Sequence, residues 1–332
     1  MPPSVMPDKP VLAQWILDTR DWYPEARQTK QLETHASRAL SLLPPTTRPQ
    51  ILRYLQVRDA KLALASALLK HYAIAKLSRT PTPWSQTVAT NFTQDPRRKP
   101  IYIDPATSAQ PVSFNVSHQA GVVALVAVAG YPSSTTKGGE GEGDGGAQVG
   151  VDVVCTSERR ARDLDMIAKE GWPAFVDMHA DVFAPGEVAY LKGYHRVPSG
   201  GTAQQQENDG RLRAFYALWA LREAYVKLTG EALLASWLRE LEFRGFRASR
   251  PTAGWGVPAR EEEGEVVRDM EIWFQGSKVE DVNMCLRSIG PDYMIATAVR
   301  TPGKAEDGLG WALGPYEVLS LGEVLDFAEA SG

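Results

Sequence analysis

Cysteine is nearly missing from this chain of 332 residues: Cys155 and Cys285 are the only two. Two thiols build neither a disulfide framework nor, by themselves, a zinc site, so a reducing compartment fits. Histidine is also sparse. His35, His71, His179 and His195 show no metal-ligand spacing and are expected to be packed or surface residues. Charge of one sign is absent as well. A formal net charge of −4 gives no general attraction to nucleic acid or an anionic membrane, so any anion site must be local. No apolar run approaches the ~18 residues of a spanning helix. The opening MPPSVMPDKP has no charged region followed by an apolar core, so no leader is expected there. Together these absences predict a cytoplasmic protein with neither nucleic-acid nor membrane partners.

What is present centres on FYALWALREAYVKLTGE, residues 215–231. Residues 215–229 lack Gly and Pro and are rich in Ala, Leu, Arg, Glu and Lys, and Gly230 follows where a helix should stop. Phe215, Leu218, Trp219, Arg222, Tyr225 and Val226 recur at helical spacing and form an apolar face. Trp219, Glu223 and Lys227 stand four apart, so they share one stripe. A carboxylate is a hard oxygen ligand for Mg²⁺, and a lysine one turn on can meet a phosphate held by that metal. The same two residues also describe an ordinary ion pair on a solvated face, worth roughly 0.2–0.5 kcal/mol.

Strands are expected at 11–18, 114–116, 121–131, 149–154, 241–246, 270–275, 282–288 and 293–299, from their apolar and β-branched content. Helices are expected at 32–43 and 50–77; the second is basic, with Arg48, Arg53, Arg58, Lys61, Lys70 and Lys76 in or beside it. That describes either a solvated face or one that holds an anion with one or two of these cations. Six prolines mark 79–111 as a loop region. PSSTTKGGEGEGDGGAQ, residues 132–148, has no large apolar residue and reads as a flexible insert, and residues 198–210 read as a second polar insert. In 149–154, Val149, Val151 and Val153 point one way and Gly150, Asp152 and Val154 the other. An acid amid valines suits either an edge or hydrogen-bonded position or a functional one. Each half runs helix and then strands, which predicts a duplicated α+β unit.

Three motifs fall in order: F-N-V-S-H-Q at 114–119, V-G-V-D-V-V at 149–154 and W-A-L-R-E-A-Y-V-K at 219–227. This set resembles the Sfp-type 4′-phosphopantetheinyl transferases, which carry a short S-H motif, then G-x-D on a strand, then W-x-x-[KR]-E-x-x-x-K on a helix. The likeness covers roughly residues 44–300 and is closest to eukaryotic, fungal broad-range members. It implies an α+β fold of two similar subdomains related by a pseudo-twofold axis, residues 1–131 and 149–332, joined by the insert 132–148.

The resemblance further implies transfer of 4′-phosphopantetheine from coenzyme A to a serine of apo carrier proteins, leaving adenosine 3′,5′-bisphosphate. The carriers would belong to fatty-acid, polyketide and nonribosomal-peptide synthases and to aminoadipate reductase, and the enzyme would act as a monomer with Mg²⁺ or Mn²⁺. By family match, Asp152 and Glu223 hold the metal, Glu223 is also a candidate base, and Lys227 meets the coenzyme A phosphate. Ser117 and His118 match positions that touch those phosphates. Gln119 would hold a water or phosphate where bacterial members carry a third acid, at the position of Val154. Lys99, in R-R-K-P, resembles the family's G-K-P turn near the adenine or 3′-phosphate, and Arg48 and Arg53 lie where the family places 3′-phosphate cations. A different Mg²⁺-dependent phosphoryl enzyme, such as a nucleotide phosphatase, explains the acids and Lys227 but not the S-H motif. A non-catalytic coenzyme A binding module has no need of both acids.

Overall fold

Strand alternation lays out the core of the computed structural model, which describes residues 9–90, 92–94, 99–134, 146–194, 203–231, 235–252 and 265–332. The first strand, β1 (Val11–Asp18), matches the expected bounds. The first long helix, α1, runs Val57–Leu77, preceded by a short helix Thr47–Leu52. The helix expected over 50–77 is therefore interrupted at 53–56, with Gln56 extended ahead of α1. Residues 32–43 form two short helices, Leu32–His35 and Ser37–Ser41, rather than one. Strands β2 (Ala109–Gln119) and β3 (Val122–Ser134) make an antiparallel pair, both longer than predicted.

The second half opens with β4 (Gln148–Cys155), followed by helices α2 (Arg160–Glu170), α3 (Pro185–Lys192) and the long α4 (Ala203–Thr229). The expected insert at 198–210 thus loses 203–210 to α4, while 195–202 lie outside the described residues, as do 135–145 of the Gly-rich insert. Strands β5 (Leu241–Arg244), β6 (Val266–Val267), β7 (Glu271–Phe274), β8 (Asn283–Ile289) and β9 (Tyr293–Arg300) follow. The chain closes with β10 (Glu317–Leu319) and α5 (Leu321–Ala330).

Two four-stranded sheets carry the architecture, in the orders β10-β1-β3-β2 and β4-β9-β8-β6. The first is completed from the far end of the chain. β10 pairs parallel with β1, Trp15 opposite Glu317, and α5 contributes Val324, Leu325 and Ala328 to the same core as α1. The assignment of all of 149–332 to the second unit therefore needs correction at its end: residues 317–330 complete the first sheet and its core. Such a short strand is stable only because a buried neighbour already offers its edge.

β3 serves two cores by its period of two. Val123, Leu125, Ala127 and Ala129 pack toward α1, whereas Val122, Ala124, Val126 and Val128 meet Val149, Val151, Val153 and Cys155 of β4. The opposite face of β4 turns to α4, whose Leu218, Leu221, Ala224 and Leu228 form the second core with Val154 and Ala296. Strand β4 is thus sandwiched between the first sheet and α4, with its even residues toward the helix.

Candidate active site

Gly150 explains how closely α4 can lie on β4. A Cβ placed there would meet the Ala224 carbonyl oxygen at 2.0 Å and the Leu228 nitrogen at 2.6 Å. Hydrogen is the only side chain that fits, and the helix backbone rests directly on the strand. Two residues on, Asp152 faces the same helix from the middle of β4 and is 6% exposed.

Two side chains converge on Asp152. Lys227 Nζ donates to its Oδ1 at 2.6 Å, and Ser117 Oγ donates to the same oxygen at 2.9 Å. Lys227 Nζ also donates to Ser117 Oγ at 3.1 Å, closing a triangle, and the Val153 amide donates to that hydroxyl at 3.3 Å. The Ser117 hydroxyl therefore has its one donor and two acceptor sites filled within the protein. Burial pushes the Asp152 carboxyl up from its usual range, and Lys227 and Ser117 pull it back down.

Glu223 stands one turn before Lys227 on α4 and is half-buried. Its carboxyl is raised from 4.5 to about 7, first by burial and then by the charge of Asp152, against the opposing pull of Lys227. The charge of a second carboxylate, Asp152, thus acts on Glu223 together with that of one ammonium, Lys227. That combination favours a further cation. Two hard oxygen donors suit Mg²⁺, which keeps several waters and takes others of its oxygens from phosphates. The described residues therefore fit the divalent ion expected from the sequence, with Asp152 and Glu223 to hold it. No group of three or more His, Cys, Asp or Glu able to hold a metal occurs among the described residues.

His118 projects from the opposite face of β2 to Ser117, and the residue is partly open to solvent. Its pKa is lowered by lost hydration first and by the charge of Lys227 second, with Asp59 and Lys70 of α1 also acting on it. It stands on the face of β2 whose Phe114 and Val116 pack in the core shared with α1. Close by, a cavity of about 480 Å³ is lined by Arg20, Arg58, Lys61, Ala120, Gly121 and Tyr293, among others. It adjoins the end of the S-H-Q run and is rich in cations.

The other expected contacts fall elsewhere. Gln119 is spent on protein groups: its Oε1 accepts from the Cys155 amide at 3.0 Å and its Nε2 donates to Glu158 at 2.7 Å. Lys99 Nζ donates to the carbonyls of Val149 and Leu228, both at 3.1 Å, tying the loop to β4 and the end of α4. Arg48 donates to the carbonyls of Ser41 and Leu43, at the end of a short helix. Arg48 and Arg53 line a different cavity, of about 720 Å³, with Lys30, Leu40 and Pro49. It shares no lining residue with the cavity beside Ala120, where the cations of α1 are Arg58 and Lys61. Val154 is 4% exposed and packs with the second core, bordering a small cavity lined also by Phe215, Tyr216 and Trp219.

Trp219 packs as expected, stacked on Phe215 with ring centroids 6.0 Å apart. Arg222 behaves differently from its apolar neighbours. It is 2% exposed, and its Nη1 meets Glu187 Oε2 of α3 and the Leu241 carbonyl, both at 2.7 Å. Glu187 also accepts from the Ala184 and Phe243 amides at 2.8 Å. This pair locks α3 and β5 to α4 beside Glu223. Nothing in the sequence singled out Glu187, because its partner lies 35 positions away.

The sequence matches known families over both halves. Residues 21–130 match the model described as "4'-phosphopantetheinyl transferase, N-terminal", and residues 148–268 match "4'-phosphopantetheinyl transferase superfamily". A protein of Fusarium mangiferae named 4′-phosphopantetheinyl transferase 1 is 44% identical over 320 residues, covering 96% of each chain. 4′-Phosphopantetheinyl transferase NpgA of Emericella nidulans is 34% identical, covering 91% of this chain and 88% of its own. The human L-aminoadipate-semialdehyde dehydrogenase-phosphopantetheinyl transferase is 21% identical over 290 residues, covering 87% of this chain and 75% of its own.

Proposed function

This chain belongs to the 4′-phosphopantetheinyl transferase superfamily, and we propose that the Asp152–Ser117–Lys227–Glu223 cluster is where it moves 4′-phosphopantetheine from coenzyme A to a carrier serine. The observation that carries this reading is the convergence itself. A strand acid, a serine from a second strand and a helix lysine, far apart in sequence, meet at one buried carboxylate oxygen, and Glu223 stands one helical turn before that lysine.

In the proposed step the carrier serine oxygen attacks the β-phosphorus of coenzyme A, the one that bears pantetheine. The new O–P bond forms as the bond to the bridging oxygen breaks, and adenosine 3′,5′-bisphosphate leaves. The serine proton passes to Glu223, directly or through water. Lys227 sits within reach of the same place and offsets charge that builds on the phosphate oxygens. Asp152 and Glu223 would hold Mg²⁺, or Mn²⁺, which when bound neutralises the pyrophosphate and fixes its orientation.

Nucleotide phosphates find their cations in the cavity beside Ala120, from Arg20, Arg58 and Lys61, with His118 toward the reacting end. Arg48 and Arg53 are set aside for this purpose, since they line the separate cavity. Ser117 acts by orienting Asp152 and Lys227, and Lys99 by holding α4 to β4. The two four-stranded sheets, each with its long helix, are read as similar subdomains about a pseudo-twofold axis.

The partners proposed are apo carrier proteins or domains. The relatives' names support aminoadipate reductase as one, and fatty-acid, polyketide and nonribosomal-peptide synthases are the other classes to test. Among the described residues no helix is long and apolar enough to cross a membrane. The test is a panel of apo carriers from these four systems, incubated with coenzyme A and Mg²⁺ and followed by mass. Modification of none of them by folded protein would defeat the proposal.

A further inference from the structure

Asn115, Ser117 and Gln119 stand two apart on β2, so their side chains share one face. Asn115 Oδ1 accepts from the Val151 amide at 3.0 Å, Ser117 Oγ from Val153 at 3.3 Å, and Gln119 Oε1 from Cys155 at 3.0 Å. Each partner lies 36 positions further on. The constant offset means that β2 and β4 run in the same direction without a slip. β4 is an edge strand whose other side pairs with β9. Alternate amides of such an edge point away from its sheet, and buried ones need acceptors. Here side-chain oxygens take the place that carbonyls hold in an ordinary ladder.

Asp152 sits between the first two rungs. The middle rung is also the longest, and its hydroxyl is shared with Asp152 and Lys227. The outer rungs, by contrast, spend their oxygens on β4 amides alone. A slip of one residue would turn Asp152 to the face now held by Val151 and Val153. We propose that Asn115 and Gln119 are positioning residues for the transfer: they are the outer rungs of a side-chain clasp that fixes β4 against β2, so that Asp152 meets Ser117 and Lys227. The proposal rests on the reading of the Asp152 cluster as the transfer site.

The test pairs kinetics with amide hydrogen exchange on the full chain. Asn115→Leu keeps the side chain's bulk and deletes the acceptor, whereas Asn115→Asp retains an oxygen. In Asn115→Leu, exchange across 149–155 should quicken while β9 stays protected. The kcat for carrier modification should drop by about 10- to 100-fold, the loss expected when a reacting group moves by about 1 Å. KM for coenzyme A should stay within about twofold, because the nucleotide's cations are on other elements. Asn115→Asp should restore both exchange and kcat. Gln119→Leu, at the more open end, repeats the comparison if Asn115→Leu does not fold.

Wild-type kcat in a variant whose 149–155 exchange has quickened would overturn the proposal. So would a lowered kcat with unchanged exchange, or an Asn115→Asp no better than Asn115→Leu. Failure of the wild-type protein to modify any apo carrier would instead defeat the assignment of the reaction, and the exchange comparison would then judge the clasp alone.

Discussion

Replacing Gly150 by alanine should separate the acid on the strand from the acid and lysine on the helix. The added methyl carbon would stand 2.0 Å from the Ala224 carbonyl oxygen, 2.6 Å from the Leu228 nitrogen and 3.1 Å from the Ala224 carbonyl carbon, where ordinary contact begins near 3.4 Å. All three neighbours are backbone, so no side chain can rotate away. Strand and helix must part by more than 1 Å. Asp152 lies two residues from this contact, and Glu223 and Lys227 each adjoin one of the contacting residues. Overpacking of this kind costs typically about 1–3 kcal/mol. A shift of about 1 Å between reacting groups costs on the order of 10²-fold in rate. Gly150→Ala should therefore lose about 1–3 kcal/mol in urea unfolding while remaining folded, and kcat should drop about a hundredfold. The assay is steady-state modification of an apo carrier, with circular dichroism and urea titration on the same preparations. Wild-type kcat in the alanine variant would refute the claim that helix-to-strand contact sets the site.

Glu187→Ala should cost about 3–5 kcal/mol in urea unfolding, because it leaves Arg222 buried without its carboxylate; a change under about 1 kcal/mol would mean that the pair adds little. Mg²⁺ affinity should rise with pH through about 7. Glu223 has its pKa raised, so it keeps its proton below that point, and only the anion ligates. By the same sign, this group's contribution to the stability of metal-free protein is fully present below 4.5 and is lost as pH rises through about 7. Calorimetric titration of Mg²⁺ between pH 6 and 8 checks the first point, and Glu223→Gln should flatten the profile; a flat wild-type profile would contradict the assignment.

The sequence was most informative where composition alone decides structure. The valine-rich run of β4 appears within one residue of its expected bounds, the Gly- and Pro-free run 215–229 is helical throughout and α4 ends where expected, and alternation set Asp152 on the helix side of β4. The first turns of α4 were hidden because QQQENDG is polar throughout. Ion pairs support that stretch, Arg211 on Glu207 one turn away in the same helix at 2.8 Å and Arg160 of α2 on Asp209 at 2.7 Å. β10 was invisible for a related reason, since three residues owe their strand form to β1 some 300 positions earlier. Of the motif residues, Asp152, Lys227 and Ser117 are in mutual contact, with Glu223 one turn before Lys227 on α4. Gln119 and Lys99 have the chemistry of phosphate ligands, and their partners in the fold, backbone groups of β4 and α4, could not be read from the motifs. Arg58 and Lys61 could be separated from Arg48 and Arg53 only once the break before α1 was known.

The most direct test of the proposed site is the mass of an apo carrier incubated with coenzyme A, Mg²⁺ and either wild-type protein or Glu223→Gln. The substitution keeps the side chain's shape and removes one metal-binding, proton-accepting carboxylate. Wild-type protein should add one phosphopantetheine group to the carrier serine, and the folded Glu223→Gln variant should be slower by at least about 10²-fold. A variant that modifies the carrier at the wild-type rate would show that the acids facing each other across β4 and α4 do not carry the reaction.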